Sequence, residues 1–138
     1  MSARDELLTI GEVAARAGVR TSTLRYYEDE GLLRPVTRVG GQRRYDERAV
    51  EALTVIRFCR QLDFSLDEIR ALLKEPRGVR KLNQWRELVD AKLAELEGVV
   101  AGAAAMQSIL QISRDCDCVD LEQCAALCAP LVAEPNRV

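Results

Sequence analysis

Four cysteines fall within thirteen residues of the sequence, at Cys116, Cys118, Cys124 and Cys128 in the run SRDCDCVDLEQCAALCAP. Thiolates are soft donors, and four of them this close can complete a coordination shell without help from imidazole. The ions that suit such a set are Zn(II), Cu(I) and Hg(II)-like cations, or the iron of an iron–sulfur cluster, rather than Mg or Ca. Cys116 and Cys118 straddle Asp117, so their sulfurs meet at one centre only if the chain there is a tight loop. Cys124 and Cys128 are four apart and share one face of a short helix. Asp115, Asp117, Asp120 and Glu122 surround them. That negative charge favours a bound cation and opposes thiolate formation without one. The fifth cysteine, Cys59, lies among helical apolar positions and reads as a small core residue.

The 138 residues contain no histidine. Ser-His triads, imidazole metal ligands and a histidine base are therefore excluded, and with them most hydrolase and zinc-enzyme chemistry. The formal charge of −2 conceals an asymmetry: residues 1-81 carry 16 Lys/Arg against 13 Asp/Glu, and residues 82-138 carry 4 against 9. A basic half suggests a polyanion partner, and Arg34, Arg38, Arg43, Arg44 and Arg48 concentrate the excess in one stretch. With 48% hydrophobic and 30% charged residues the composition is that of one soluble domain with a small appendage. No apolar run is expected to reach the eighteen or so residues that span a bilayer, and the first residues lack a secretory signal, so a cytoplasmic protein without membrane contact is expected.

The elements that must position these groups are legible in the pattern. Thr9 and Glu12 form a capping box for a helix from about Ile10 to Ala17, stopped by Gly18. Thr21 or Ser22 caps a second helix, ended by Gly31. Two short helices around a turn read as a helix-turn-helix. The stretch RPVTRVGGQRRYD then reads as a basic β-hairpin, a wing on the DNA backbone. Two further helices follow, Arg48 to Leu62 with Val50, Leu53, Ile56 and Phe58 apolar, and Ser65 to Leu73 behind a second capping box. Pro76 and Gly78 mark a hinge. Beyond it Leu82, Val89, Leu96, Ala103 and Leu110 recur every seven residues, with Trp85, Val99 and Met106 at the +3 positions and Lys92 interrupting them. This is a coiled-coil seam about 46 Å long, and its cheapest partner is a second copy of the chain.

In this order the motifs LTIGEVAARAGVRTSTLRYYEDEGLL, GGQRRYDE, the helical pair, the long helix and the cysteine loop resemble the MerR family of transcriptional regulators, up to about Pro130. The resemblance implies a mainly α fold: a winged helix-turn-helix DNA-binding domain over 1-76, a hinge and antiparallel coiled-coil dimerisation helix over 77-113, and a cysteine-rich effector loop and tail over 114-138. It implies a regulator rather than an enzyme, a homodimer on double-stranded promoter DNA that distorts a long spacer so that RNA polymerase engages both promoter elements. Carried over by position, Arg20, Thr21, Thr23, Arg25 and Tyr26 face the major groove and nearby phosphates, and Arg43, Arg44 and Tyr45 of the wing contact the backbone. Leu24 and Tyr27 build the core.

For the effector the resemblance divides. Cys116 and Cys124 have the seven-residue separation of the metal-ion sensors, with Cys118 or Cys128 completing a three- or four-sulfur site. Cys116 to Cys124 also resembles the [2Fe-2S] loop of the SoxR redox sensors, with Trp85 at the spacing of a tryptophan near the partner's cluster; Ser113 stands where that pattern has a further cysteine. A thiolate-bound metal is the first expectation and the cluster the alternative. A drug-binding role finds too few residues after the seam to enclose a ligand, and a thiol redox protein would need a cysteine acidified against its carboxylate neighbours.

Overall fold

The computed structural model describes residues 7–132. They fall into two units divided between Gln84 and Trp85. The first begins with a two-residue strand, β1 (Leu8–Thr9), that the sequence pattern is too short to reveal. It continues through α1 (Ile10–Ala17), α2 (Thr21–Asp29), β2 (Thr37–Val39), β3 (Gln42–Tyr45), α3 (Glu47–Gln61) and α4 (Leu66–Lys74). The helix α5 (Val79–Asp115) starts in this unit and makes up most of the second, followed by α6 (Leu121–Cys128).

The capping boxes form as expected. The Thr9 side chain accepts from the Glu12 N–H and Ser65 from that of Glu68, each glutamate reaching back to its cap. α1 buries Val13, Ala14 and Ala17 on one stripe, and Gly18 ends it in the left-handed region at φ 68°. The carbonyls left open at that end attract cations: Arg57 of α3 donates to Ala17 O at 2.6 Å. Arg70 of α4 does the same after α2, giving Nε and Nη2 to Glu30 O at 3.1 and 2.7 Å. Part of the basic excess is therefore structural, tying the later helices to the ends of the helix-turn-helix.

Three local expectations need correcting. α2 begins at Thr21 itself behind Arg20, with no side-chain cap, because Arg20 already takes the extended N-cap backbone and the helix starts one residue early. Phe58 is 52% exposed; the buried stripe of α3 runs through Ala49, Leu53, Ile56 and Cys59 instead, and Cys59 is the small core residue expected. Finally, the apolar-run reading missed a segment. Residues 98–113 carry no charge, and α5 contains an 18-residue window of mean hydropathy 1.3 that is long and apolar enough to cross a membrane, with none of it buried. Alanine, glycine and glutamine dilute that stretch to the eye while leaving its average high.

The wing is built around β3, which pairs β1 on one side and β2 on the other, both antiparallel. Gly40 and Gly41 both take positive φ, 58° and 81°, the backbone that a two-residue hairpin turn requires. Their register sets Arg38 opposite Arg43 and Thr37 opposite Arg44. Along α5, Leu82, Leu96, Val99, Met106 and Leu110 are between 46% and 67% exposed, so the heptad face is uncovered at these positions in a single chain, while Trp85, Val89 and Lys92 are half-buried.

A candidate nucleic-acid interface and a candidate metal centre

Of the residues expected at DNA on and just before α2, Arg20, Thr21, Arg25 and Tyr26 are exposed and Thr23 is half-buried; Ser22 and Asp29 are exposed as well. Leu24 is wholly buried and Tyr27 half-buried, and the Tyr26 and Tyr27 rings tilt against each other at 5.4 Å. β3 alternates, so Arg43 and Tyr45 share one face and Gln42 and Arg44 the other. The first pair meets Glu28, in the last turn of α2: Tyr45 Oη donates to Glu28 Oε2 at 3.1 Å, and Arg43 Nε lies 3.3 Å from Glu28 Oε1. The Glu28 side chain is 12% exposed. Arg43 Nε is itself buried without a well-directed hydrogen bond, so the contact is an ion pair by charge more than by geometry.

Tyr45 therefore does not present its side chain to the DNA backbone as the resemblance implied. It is wholly buried, since its strand position opposite Leu8 turns the ring into the core, and its hydroxyl is committed to Glu28. Burial, then hydrogen bonding to Glu28, push the Tyr45 pKa up to about 12. Glu28 is the residue that motif reading overlooked; the signal was the period-two placement of Arg43 and Tyr45 against the acid closing LRYYE.

The remaining wing charge is oriented for an anion. Arg44 Nη1 touches Gln42 Oε1 at 3.3 Å, and Arg38 faces Arg43 across the hairpin, a like-charge pair that costs the sheet stability. A cavity of about 510 Å³ between the wing and the first turn of α1 is lined by Arg25, Arg38, Arg43 and Arg44. Guanidinium forks gathered around one hollow suit phosphate oxygens.

In the second unit, Cys116 and Cys118 lie in the loop 116–120 and Cys124 and Cys128 on α6. Asp120 caps α6, accepting from Gln123 N at 2.8 Å, while Gln123 Oε1 accepts from Val119 N at 2.9 Å. These bonds fold the loop back, and the sulfurs of Cys116, Cys118 and Cys124 come within 4.8 Å of one another. Cys116 and Cys124 are 3.8 Å apart. Sulfurs on a tetrahedral ion at about 2.3 Å would stand about 3.8 Å from each other, so donor type and spacing both fit a thiolate-bound metal. Cys128 is buried and outside this trio, its Sγ 3.5 Å from Ser113 Oγ.

The thiols do not share their protons equally. Hydrogen bonding from Ser113, then from Cys116, lowers the pKa of Cys124. Cys118 is pushed up to about 12, first by its hydrogen bond to Cys116, then by burial and the other sulfurs. The carboxylates around the loop were expected to govern this; the closer thiols and the Ser113 hydroxyl do so instead.

Residues 8–76 match the family described as MerR HTH family regulatory protein, and residues 50–112 the one described as MerR, DNA binding. The chain is 40% identical over 96 residues to the HTH-type transcriptional activator TipA of Streptomyces coelicolor, covering 67% of this chain but only 38% of that protein. It is 38% identical over 106 residues to the mercuric resistance operon regulatory protein of Shigella flexneri, covering 76% and 73% of the two chains. With a SoxR homolog of Chromobacterium violaceum it shares 30% over 122 residues, covering 87% and 82%. It is also similar to a transcription regulator of Ralstonia metallidurans solved in complex with lead(II), at TM-score 0.65 and 34% identity over 89% of this chain and 98% of that one.

Proposed function

The chain belongs to the MerR family of helix-turn-helix transcriptional regulators, and from that premise we propose that it works as a cytoplasmic homodimer on promoter DNA and responds to a soft metal ion held by its cysteine loop. The observation that carries the sensing half is the convergence of the Cys116, Cys118 and Cys124 sulfurs within 4.8 Å. Zn(II), Cu(I), Hg(II) and lead(II) are the ions to try, the last two because relatives carry them in name or title. Cys116, Cys118 and Cys124 would hold the ion, which would supply positive charge in place of the thiol protons and bridge the loop to α6. The exposed heptad face of α5 is what a second copy would cover, burying Leu96, Val99, Met106 and Leu110 as a seam.

On DNA, Arg20, Thr21, Thr23, Arg25 and Tyr26 enter the major groove while Arg38, Arg43 and Arg44 hold phosphates. As the family membership suggests, much of the binding energy goes into deforming the duplex, which is also what lets RNA polymerase engage a distorted promoter. A [2Fe-2S] centre is the second reading, favoured by the long match to the SoxR homolog.

Anaerobic purification with metal analysis separates the readings. A colourless protein that takes up a thiolate-bound ion supports the first, and a brown one with iron and sulfide in equal amounts rejects it. With the double substitution Cys116→Ser and Cys124→Ser, DNA binding should persist, still weakening as salt rises, while metal-dependent transcription disappears. Loss of DNA binding in that variant, or salt-insensitive binding by the wild type, would overturn the proposal.

A further inference from the structure

Ser113, in the last turn of α5, touches three of the four loop and α6 thiols. Its carbonyl accepts from Cys116 Sγ at 3.2 Å. Its hydroxyl oxygen lies 3.4 Å from Cys124 Sγ and 3.5 Å from Cys128 Sγ. A serine hydroxyl is too hard a donor to compete with thiolate for a soft ion. It is well suited to a different task, because it can donate one hydrogen bond and accept another at once.

We propose that Ser113 is a positioning residue that sets the sulfur count of the site at three: its hydroxyl, lying between Cys124 and Cys128, aims Cys124 at Cys116 and Cys118 and engages Cys128, which neighbours Cys124 but stays outside the trio, as a non-ligand. This rests on the metal-sensing reading and sharpens it. Two features support it beyond the contacts themselves. Cys128 is buried beside the hydroxyl and outside the group of sulfurs that lie within 4.8 Å of one another. Charge points the same way. Three thiolates already leave a divalent ion with a net negative shell, and Asp115, Asp117, Asp120 and Glu122 stand in the same segment against Arg114 alone, so a fourth anionic sulfur adds repulsion. A three-sulfur shell disfavours Zn(II), which completes a tetrahedron in closed sites, relative to larger soft ions that accept fewer ligands.

The test is titration of the reduced, metal-free full chain with Cd(II), following thiolate-to-metal charge-transfer absorbance and affinity by competition with a chelator. The wild type should bind one ion per chain. Cys128→Ser should leave absorbance and affinity unchanged, whereas Cys118→Ser should remove about one third of the absorbance, as two thiolates replace three. Ser113→Ala should weaken binding about tenfold, the usual effect of removing a group that orients a ligand, and Ser113→Thr, which keeps the hydroxyl, should restore it. The proposal is overturned if Cys128→Ser lowers the absorbance per ion, since Cys128 is then a ligand. It is also overturned if Ser113→Ala binds as the wild type does, or if Ser113→Thr fails to restore binding. A wild type that takes up Cd(II) through four sulfurs would end this inference alone; one that takes up none would end the metal-sensing reading with it.

Discussion

Removing the Glu28 carboxylate tests whether the recognition helix and the wing are locked by one side chain. In Glu28→Ala the buried Tyr45 hydroxyl loses the acceptor 3.1 Å away, and a buried hydroxyl without a partner costs about 1–3 kcal/mol. The Arg43 pairing adds less. That side chain is 35% exposed, and solvent screening reduces such a pair to a few tenths of a kcal/mol. Its loss also unmasks the repulsion between Arg38 and Arg43 across the hairpin, roughly 0.5 kcal/mol. The sum is about 2–4 kcal/mol, or roughly 10–25 °C in melting temperature for a unit of this size. Thermal and urea unfolding followed by circular dichroism would read it. Glu28→Gln keeps an acceptor for Tyr45 and should lose about 1 kcal/mol. In a double-mutant cycle with Tyr45→Phe, the coupling to Glu28→Ala should be about 1 kcal/mol or more. A Glu28→Ala protein that melts within about 4 °C of the wild type would show that the clamp contributes nothing and that the wing is held by its strand pairing alone.

Two further outcomes follow from the same unit. Tyr45 ionises near pH 10 when unfolded and at about 12 when folded, so its contribution to stability is intact below pH 10 and is lost as pH rises toward 12; Tyr45→Phe should flatten the alkaline limb of a stability-against-pH curve over that interval, and an unchanged limb would reject the assignment. Gly18→Ala should cost about 1–3 kcal/mol by urea unfolding, because the position has φ 68° and an added Cβ would come within 3.0 Å of Arg57 Nη1, the group that caps α1; a variant as stable as the wild type would refute this.

Much of this architecture was readable because each signal was local. Capping boxes at Thr9 and Ser65 and the Gly40-Gly41 turn act through neighbours within a few residues, and the chain obeys them; the long helix that carries the heptad from Leu82 forms as well. What the sequence hid depends on contacts between distant residues. Arg57 and Arg70 cap helices about forty residues away, and Tyr45 is a core residue because β1 lies beside it. A motif containing arginine and tyrosine in a wing cannot tell which one faces solvent until the strand register is known. At the cysteine loop, spacing alone kept four thiols in play. Only the fold of loop and α6 leaves Cys128 outside the group of three sulfurs and beside Ser113, a residue whose type carries no metal-binding signal.

If the loop holds an ion as proposed, the hydrogen bond from Cys116 Sγ to Ser113 O would give the end of α5 a means of registering its occupancy. Any α-helix leaves its last carbonyls without internal donors, and here a thiol proton serves one of them. A sulfur that joins a metal has surrendered that proton. Filling the loop therefore withdraws a cap from the final turn and replaces it with an anionic sulfur beside the negative pole of the helix, tolerable only while the cation is present. The final turn would then have to fray, tighten or find another donor, and chemistry confined to a few atoms would become a change in the length of a rod.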